Sequence, residues 1–246
     1  MTGSTTHSQS DGISVVILAG GRGTRIQSLY PETPKPMIPV KGQPFLYWLT
    51  RYLADFGLSR FIYSTGYRAE QIDDWIAETA FPGVERVARR EETPLGTGGG
   101  VLNCLDLCEG AWTLVANGDG LCMSGIPDLL ALTSRKDLDG GLIGLHVPDT
   151  TRYGSLEMGR EGNLSAFREK VPGQGYINSG FYLFRTDVLR RIARTGPCSM
   201  EVDLIPDMLA IGSRLEVVRL DETAFIDIGT PETVMLAESF VEEHLI

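Results

Sequence analysis

Positive charge is in short supply in this chain. Its 246 residues carry 22 Lys and Arg against 32 Asp and Glu, a formal net charge of −10. A surface of that sign repels polyanions, which excludes nonspecific nucleic-acid binding. Any phosphate site must therefore come from a local cluster of cations and not from a global field. Histidine is scarcer still, with three in all, and the four cysteines (Cys104, Cys108, Cys122 and Cys198) form no C-x-x-C pair. Cys104 and Cys108 lie one helical turn apart, but no further ligand follows at a metal-binding spacing. The expectation is reduced, buried thiols in a cytoplasmic protein. No apolar run approaches the roughly 20 residues that cross a bilayer, so no membrane association is expected. The first dozen residues, MTGSTTHSQSDG, lack an apolar centre and do not read as a secretory signal. They are expected to form a disordered tail.

What is present is ordered and periodic. Hydrophobic residues make up 42% of the chain, enough for a sizeable core. Apolar runs predict strands at 13–18, 60–65, 84–89, 112–116 and 141–147. Amphipathic stretches between them predict helices at 45–56, 69–77, 97–107 and 126–134. This alternation implies an α/β fold, a Rossmann-like, mostly parallel mixed sheet flanked by helices. After about residue 150 the pattern changes. Strands are expected at 154–158, 164–169, 176–184, 215–220 and 224–227, with helices at 186–194, 200–210 and 231–244. No Ser- or Pro-rich linker intervenes. Residues 13–246 are therefore expected to form a single domain, with one part at about 13–150 and a smaller mixed lobe at about 151–246.

The strongest local signal is Leu18-Ala19-Gly20-Gly21-Arg22-Gly23-Thr24-Arg25, directly after the first strand. Small residues let backbone N–H groups approach a polyphosphate. Arg22, Arg25 and Lys35, the last between Pro34 and Pro36, add three cations to the same loop. That combination suits a nucleoside triphosphate. It is neither a dinucleotide fingerprint, because Ile26 stands where the third glycine belongs, nor a Walker A loop, which needs Gly-Lys-Ser/Thr. Further on, Asn117-Gly118-Asp119 follows the strand at 112–116 and puts a carboxylate where a hard cation such as Mg²⁺ can bind. Pro94-Leu95-Gly96-Thr97-Gly98-Gly99 lies between a strand and a helix. Its N–H groups can face a base or ribose, and Thr97 can cap the helix. Both can hold at once.

The G-G-x-G-T-R loop followed by P-K-P resembles the signature of the sugar-1-phosphate nucleotidylyltransferases, and the resemblance extends from Ile13 nearly to the end of the chain. It implies a nucleotide-diphospho-sugar transferase fold of the GT-A-like type. It also implies Mg²⁺ held by Asp119 and by Asp227 of Phe225-Ile226-Asp227-Ile228-Gly229-Thr230-Pro231, with Arg25, Lys35 and Lys170 as the catalytic cations. Leu18 to Thr24, Pro94, Gly96, Thr97, Asn117 and Gly118 would contact the nucleotide. Tyr153, Gly154, Glu169, Asn178 and Gly180 would contact the sugar. Ser199-x-Glu201-x-Asp203 is read instead as a plain helix start capped by Ser199.

Relatives that use thymidine or uridine nucleotides carry a base-reading glutamine where this chain has Glu91, followed by Glu92. A carboxylate only accepts hydrogen bonds. Guanine offers two adjacent donors, N1–H and the N2 amino group, whereas uracil and thymine offer one donor between two carbonyls. Either Glu91 or Glu92 thus favours GTP. The glutamates stand one residue further from the proline than in the simplest E-P-L-G form, and Gly120 replaces a larger residue that often follows the metal aspartate. With its short length, the chain looks most like the D-glycero-α-D-manno-heptose-1-phosphate guanylyltransferases. That implies GTP and a sugar 1-phosphate as partners, and capsule or lipopolysaccharide precursor synthesis. The alternatives are a mannose-1-phosphate guanylyltransferase, an amino-sugar-1-phosphate uridylyltransferase, a noncatalytic nucleotide-sugar sensor, or a subunit supporting another such enzyme. A homodimer is the default for an oligomer.

Overall fold

The computed structural model describes residues 12–151, 154–159, 161–168 and 172–246. The N-terminal tail, and with it most of that expectation, lies outside them. In chain order the strands are β1 (Ile13–Ala19), β2 (Pro39–Val40), β3 (Gln43–Pro44), β4 (Arg60–Thr65), β5 (Glu85–Arg90), β6 (Trp112–Asn117), β7 (Gly120–Cys122), β8 (Gly140–Val147), β9 (Ser155–Met158), β10 (Leu164–Arg168), β11 (Gly175–Arg185), β12 (Leu215–Leu220) and β13 (Phe225–Asp227). The helices are α1 (Phe45–Ala54), α2 (Ala69–Glu78), α3 (Gly96–Asn103), α4 (Ile126–Ala131), α5 (Thr186–Arg191), α6 (Ile205–Ala210) and α7 (Pro231–His244).

Among the described residues, nine strands form one mixed sheet. β1 lies at its centre, parallel to β4 on one side and to β6 on the other, and β4 continues parallel to β5. β11 runs antiparallel to β6 and to β8, and β12 adds parallel to β8. β11 is long enough to serve two regions. Its C-terminal half pairs with β6, while Ile177 in its N-terminal half pairs with Ser155 of β9, beyond which lies β10. The register of β11 against β8 shifts between Asn178 and Tyr182, and Gly180 takes a φ of +84° in that bulge. A left-handed residue there re-aims the side chains on either side of it.

Alternation along the central strands sends side chains to two separate cores. Val15, Ile17, Phe61, Tyr63, Leu114 and Ala116 pack against α1, α2, α4 and α7. Val16, Ile62, Val115, Tyr182 and Phe184 pack against α3, α5 and α6. Both faces of the sheet are covered at its centre, so β1 and β6 read as near-continuous apolar runs. Phe184 is fully buried and stacks on Tyr182 at a centroid distance of 5.9 Å. Phe184→Ala is expected to cost about 3–5 kcal/mol of stability, measured by urea unfolding.

Elements end where local chemistry ends them. α1 stops at Ala54, two residues before the expected end, because the chain turns back through Gly57 at a φ of +81°. α3 is shorter than the expected 97–107. The N–H groups of Cys104 and Leu105 bond to carbonyls three residues back, tightening the last turn. The segment expected as one helix at 200–210 is a π-helical turn, Met200–Leu204, followed by α6. Leu204 N–H bonds to the Ser199 carbonyl five residues back, and Pro206 then starts α6 without an N–H to place. All four cysteines are buried and unpaired, and burial pushes the Cys104 thiol up to about 12. No helix among the described residues is long and apolar enough to cross a membrane.

Candidate active site

Register brings the chemistry to one edge. Pairings across the four parallel strands set Leu18 beside Asn117, Ala19 beside Thr65, and Thr65 beside Arg90. The segments that leave these strands, at Gly20, Gly66, Glu91 and Gly118, therefore emerge side by side at the carboxyl end of the sheet, where α/β folds bind ligands. Close backbone contacts tie them together. Gly118 N–H donates to the Leu18 carbonyl at 2.9 Å, and Tyr67 N–H donates to the Gly20 carbonyl at 3.2 Å. A Cβ on Gly118 would lie 2.6 Å from the Leu18 oxygen, so only glycine fits there.

The loop after β1 is exposed at Gly21, Arg22, Thr24 and Arg25 and is anchored by buried Ile26. Gly23 takes a φ of +61° and starts a 3₁₀ turn over Thr24–Ile26. A Cβ built on Gly21 would meet nothing within 4 Å. The Arg22 guanidinium lies 5.3 Å from the centre of the Tyr67 ring. Arg25 remains exposed beside it in sequence.

The two aspartates meet. β13 pairs antiparallel with β7, setting Asp227 opposite Gly120, and Ile228 N–H donates to the Asp119 carbonyl at 2.9 Å. One oxygen of Asp227 accepts from Gly229 N–H at 2.9 Å. The Lys35 ammonium forms an ion pair with the Asp119 carboxylate, with side-chain exposures of 16% and 32%. Lys35 arrives there because Pro34 and Pro36, both buried, hold a tight turn against Gly118 and Gly23. The residues fit a magnesium ion. Mg²⁺ keeps several waters and takes one or two protein carboxylates, with substrate phosphates completing its shell. Asp119 and Asp227 supply that number, and among the described residues no cluster of three or more acidic, His or Cys side chains could form an all-protein cage.

Glu91 is neither a solvated charge nor a free arm. Its Oε1 accepts from the Ser64 hydroxyl at 2.9 Å and its Oε2 from Leu95 N–H at 2.9 Å. Glu92 beside it is exposed. The glycine-rich turn at the start of α3 has a partner that the sequence did not suggest. Gly98 and Gly99 donate to the Cys198 carbonyl at 2.9 and 3.1 Å, so those N–H groups are already used. Thr97 does not cap α3; its hydroxyl accepts from Met200 N–H at 2.8 Å. Pro94, Gly96 and Thr97 remain exposed. Gly96 combines a φ of +71° with a position where a Cβ would sit 2.6 Å from the Cys198 oxygen. Gly96→Ala is expected to lose about 1–3 kcal/mol of stability, whereas Gly21→Ala, in open space, should leave the urea midpoint unchanged.

The second lobe meets the first at the β11 bulge. Gly180 packs against the Asn117 side chain, with room for no Cβ (2.5 Å to Nδ2). Asn178 donates from Nδ2 to the Tyr182 hydroxyl and, at 2.6 Å, to Glu201 Oε1, and accepts from Gly180 N–H at 3.0 Å. Burial raises the Tyr182 phenol above its usual range, so it stays neutral in this network. Ser199 caps its turn as expected, its hydroxyl accepting from Glu201 and Val202 N–H, yet the turn it caps delivers Glu201 to Asn178. Sequence reasoning missed Ser64 and Glu201, and only the spacing of Glu201 from its cap carried any signal. Gly154 precedes β9, where a Cβ would lie 3.3 Å from the Arg168 carbonyl. Tyr153, Glu169 and Lys170 lie outside the described residues.

Comparison with known proteins gives the same family. The nucleotidyl transferase family profile matches residues 14–244. The chain is 32% identical to a mannose-1-phosphate guanylyltransferase of Mycobacterium tuberculosis over 89% of its own length, but it spans only 62% of that protein. It is 31% identical to a D-glycero-alpha-D-manno-heptose 1-phosphate guanylyltransferase of Campylobacter jejuni, covering 89% of this chain and 96% of that one. The crystal structure of HddC from Yersinia pseudotuberculosis complexed with GMP-PN superposes with a TM-score of 0.78 at 33% identity, covering 93% of this chain and 98% of that one. With its sheet edge, glycine loop and paired aspartates in place, the chain belongs to the nucleotidyl transferase family.

Proposed function

We propose that the chain transfers a guanylyl group from GTP to a sugar 1-phosphate, releasing pyrophosphate and forming a GDP-sugar. The observation that carries this is the meeting of Asp119, Asp227 and Lys35 beside the open Gly21 loop. Distant segments converge there on the groups that a triphosphate needs. GTP is favoured by the carboxylate of Glu91 or Glu92, and by relatives that carry guanylyltransferase names. The best sugar is D-glycero-α-D-manno-heptose 1-phosphate. A D-glycero-alpha-D-manno-heptose 1-phosphate guanylyltransferase of Campylobacter jejuni, 31% identical to the chain, supports that sugar. Mannose 1-phosphate is the second reading. Residues 13–246 would act as one domain, and the product would feed capsule or lipopolysaccharide synthesis.

In this reading the N–H groups and cations of the Gly21 loop, with Arg25 and Lys35, hold the triphosphate and steady the leaving pyrophosphate. Lys170 orients the sugar phosphate, whose oxygen attacks the α-phosphorus in line. That oxygen is already anionic near neutral pH, so no general base is needed and catalysis is positioning plus charge neutralisation. Mg²⁺ held by Asp119 and Asp227 would offset charge growing on the α-phosphate. Asn178 and Gly180, with Gly154, Tyr153 and Glu169, shape the sugar side.

The test is pyrophosphate release with Mg²⁺ and each nucleoside triphosphate, against heptose 1-phosphate and mannose 1-phosphate. Release with GTP alone and faster with the heptose is expected. Release only with UTP or dTTP would overturn the guanylyl reading, and a mannose preference the heptose one. Silence across the panel, with nucleotide still bound, would favour a noncatalytic sensor.

A further inference from the structure

We infer that Ser64 is a positioning residue for base selection, acting through Glu91. The inference rests on the guanylyl reading and deepens it. Ser64 is fully buried on β4, and its hydroxyl reaches Glu91 Oε1 at 2.9 Å. Because a carboxylate accepts and cannot donate, the Ser64 proton must point at Glu91. Leu95 N–H holds the other oxygen at 2.9 Å. The protein thus fills one acceptor position on each oxygen and leaves one on each. Two acceptors held side by side match the N1–H and N2 amino donors of guanine. They meet a carbonyl on either side of the single N–H of uracil.

The surroundings are shaped for this pair. A Cβ on Gly100 would lie 2.8 Å from Ser64 Oγ and 2.9 Å from Glu91 Oε1, and a Cβ on Gly20 would lie 3.1 Å from the same oxygen. Helix α3 and the loop after β1 therefore close around the Ser64–Glu91 hydrogen bond only because both positions lack a side chain. Without the Ser64 donor, Oε1 loses its anchor and the carboxylate turns about its last torsion, which is broad for glutamate. Affinity for GTP then falls and that for UTP does not.

Calorimetric Kd values for GTP and UTP with Mg²⁺, on wild type, Ser64→Ala, Glu91→Ala and the double variant, test this without needing the sugar. Ser64→Ala is expected to narrow the GTP-to-UTP preference about tenfold, as loss of one hydrogen bond to a charged group does. In the Glu91→Ala background the same change should leave the ratio unmoved, which no general loss of packing would produce. Ser64→Cys, close in shape and a weaker donor, should fall between. A GTP-selective wild type whose ratio survives Ser64→Ala overturns this inference alone, as does an equal drop in both backgrounds. A wild type without GTP preference overturns the guanylyl reading and this inference together.

Discussion

Asp119→Ala is expected to lower kcat about a thousandfold while changing the apparent affinity for GTP less than about fivefold. A bound cation that offsets charge growing in the transition state contributes several kcal/mol, and each 1.36 kcal/mol is tenfold in rate. GTP affinity should move less because, on the proposed reading, the Gly21 loop and its arginines would hold the triphosphate in ground state and transition state alike. Position supports the asymmetry. Asp119 sits just past the end of β6, its backbone carbonyl tied to Ile228 and its neighbour Gly118 tied to Leu18. Those backbone bonds survive the substitution, so the sheet edge keeps its shape. Asp119→Asn adds a control: it keeps the shape, removes the charge and should fall close to the alanine variant. Single-turnover pyrophosphate release alongside GTP titration reads both quantities. Near-normal turnover in either variant would refute a metal role for Asp119.

The parts of this fold legible in the sequence are those fixed by local periodicity. The strands at Arg60–Thr65 and Leu215–Leu220 and the helix at Pro231–His244 have the expected bounds, because apolar runs, the Thr230 cap and Pro231 mark them unambiguously. β7 went unread. It is three residues beginning with glycine, and it exists because β13 pairs with it from the far end of the chain. That distant pairing is what joins the two aspartates: each motif was legible in its own residues, and their meeting was implied only by the family resemblance. Thr97 shows the same limit. A threonine at a helix start reads as a cap, but Met200 N–H arrives by tertiary packing and takes its hydroxyl. Ser64 carries no sequence signal at all. It looks like any small residue in a buried strand, and its meaning appears only when parallel register brings the end of β5 alongside.

Lys35 makes the second large prediction, and it separates two things one side chain does. In catalysis its ammonium would neutralise charge on the phosphates. Losing one such preorganised donor costs about a hundredfold or more in kcat, the drop expected for Lys35→Met. The same ammonium also pairs with the Asp119 carboxylate and supplies counter-charge of the kind a divalent cation would bring. Both side chains are mostly out of solvent, so removing the lysine leaves a half-buried carboxylate without its compensating cation. The substitution therefore increases the demand for an external cation at the same place. Lys35→Met is expected to bind Mn²⁺ several-fold more tightly than wild type in the absence of GTP, measured by the loss of free Mn²⁺ signal in electron paramagnetic resonance, even as turnover collapses. On the proposed reading the lysine and the cation would compete for Asp119 when GTP is absent and act together on the phosphate chain when it is present. Weaker Mn²⁺ binding in Lys35→Met would reverse this order and make Lys35 a support that holds the two aspartates in place. Unchanged turnover would remove Lys35 from the chemistry and leave its ion pair a purely structural contact between the P-K-P turn and the turn after β6.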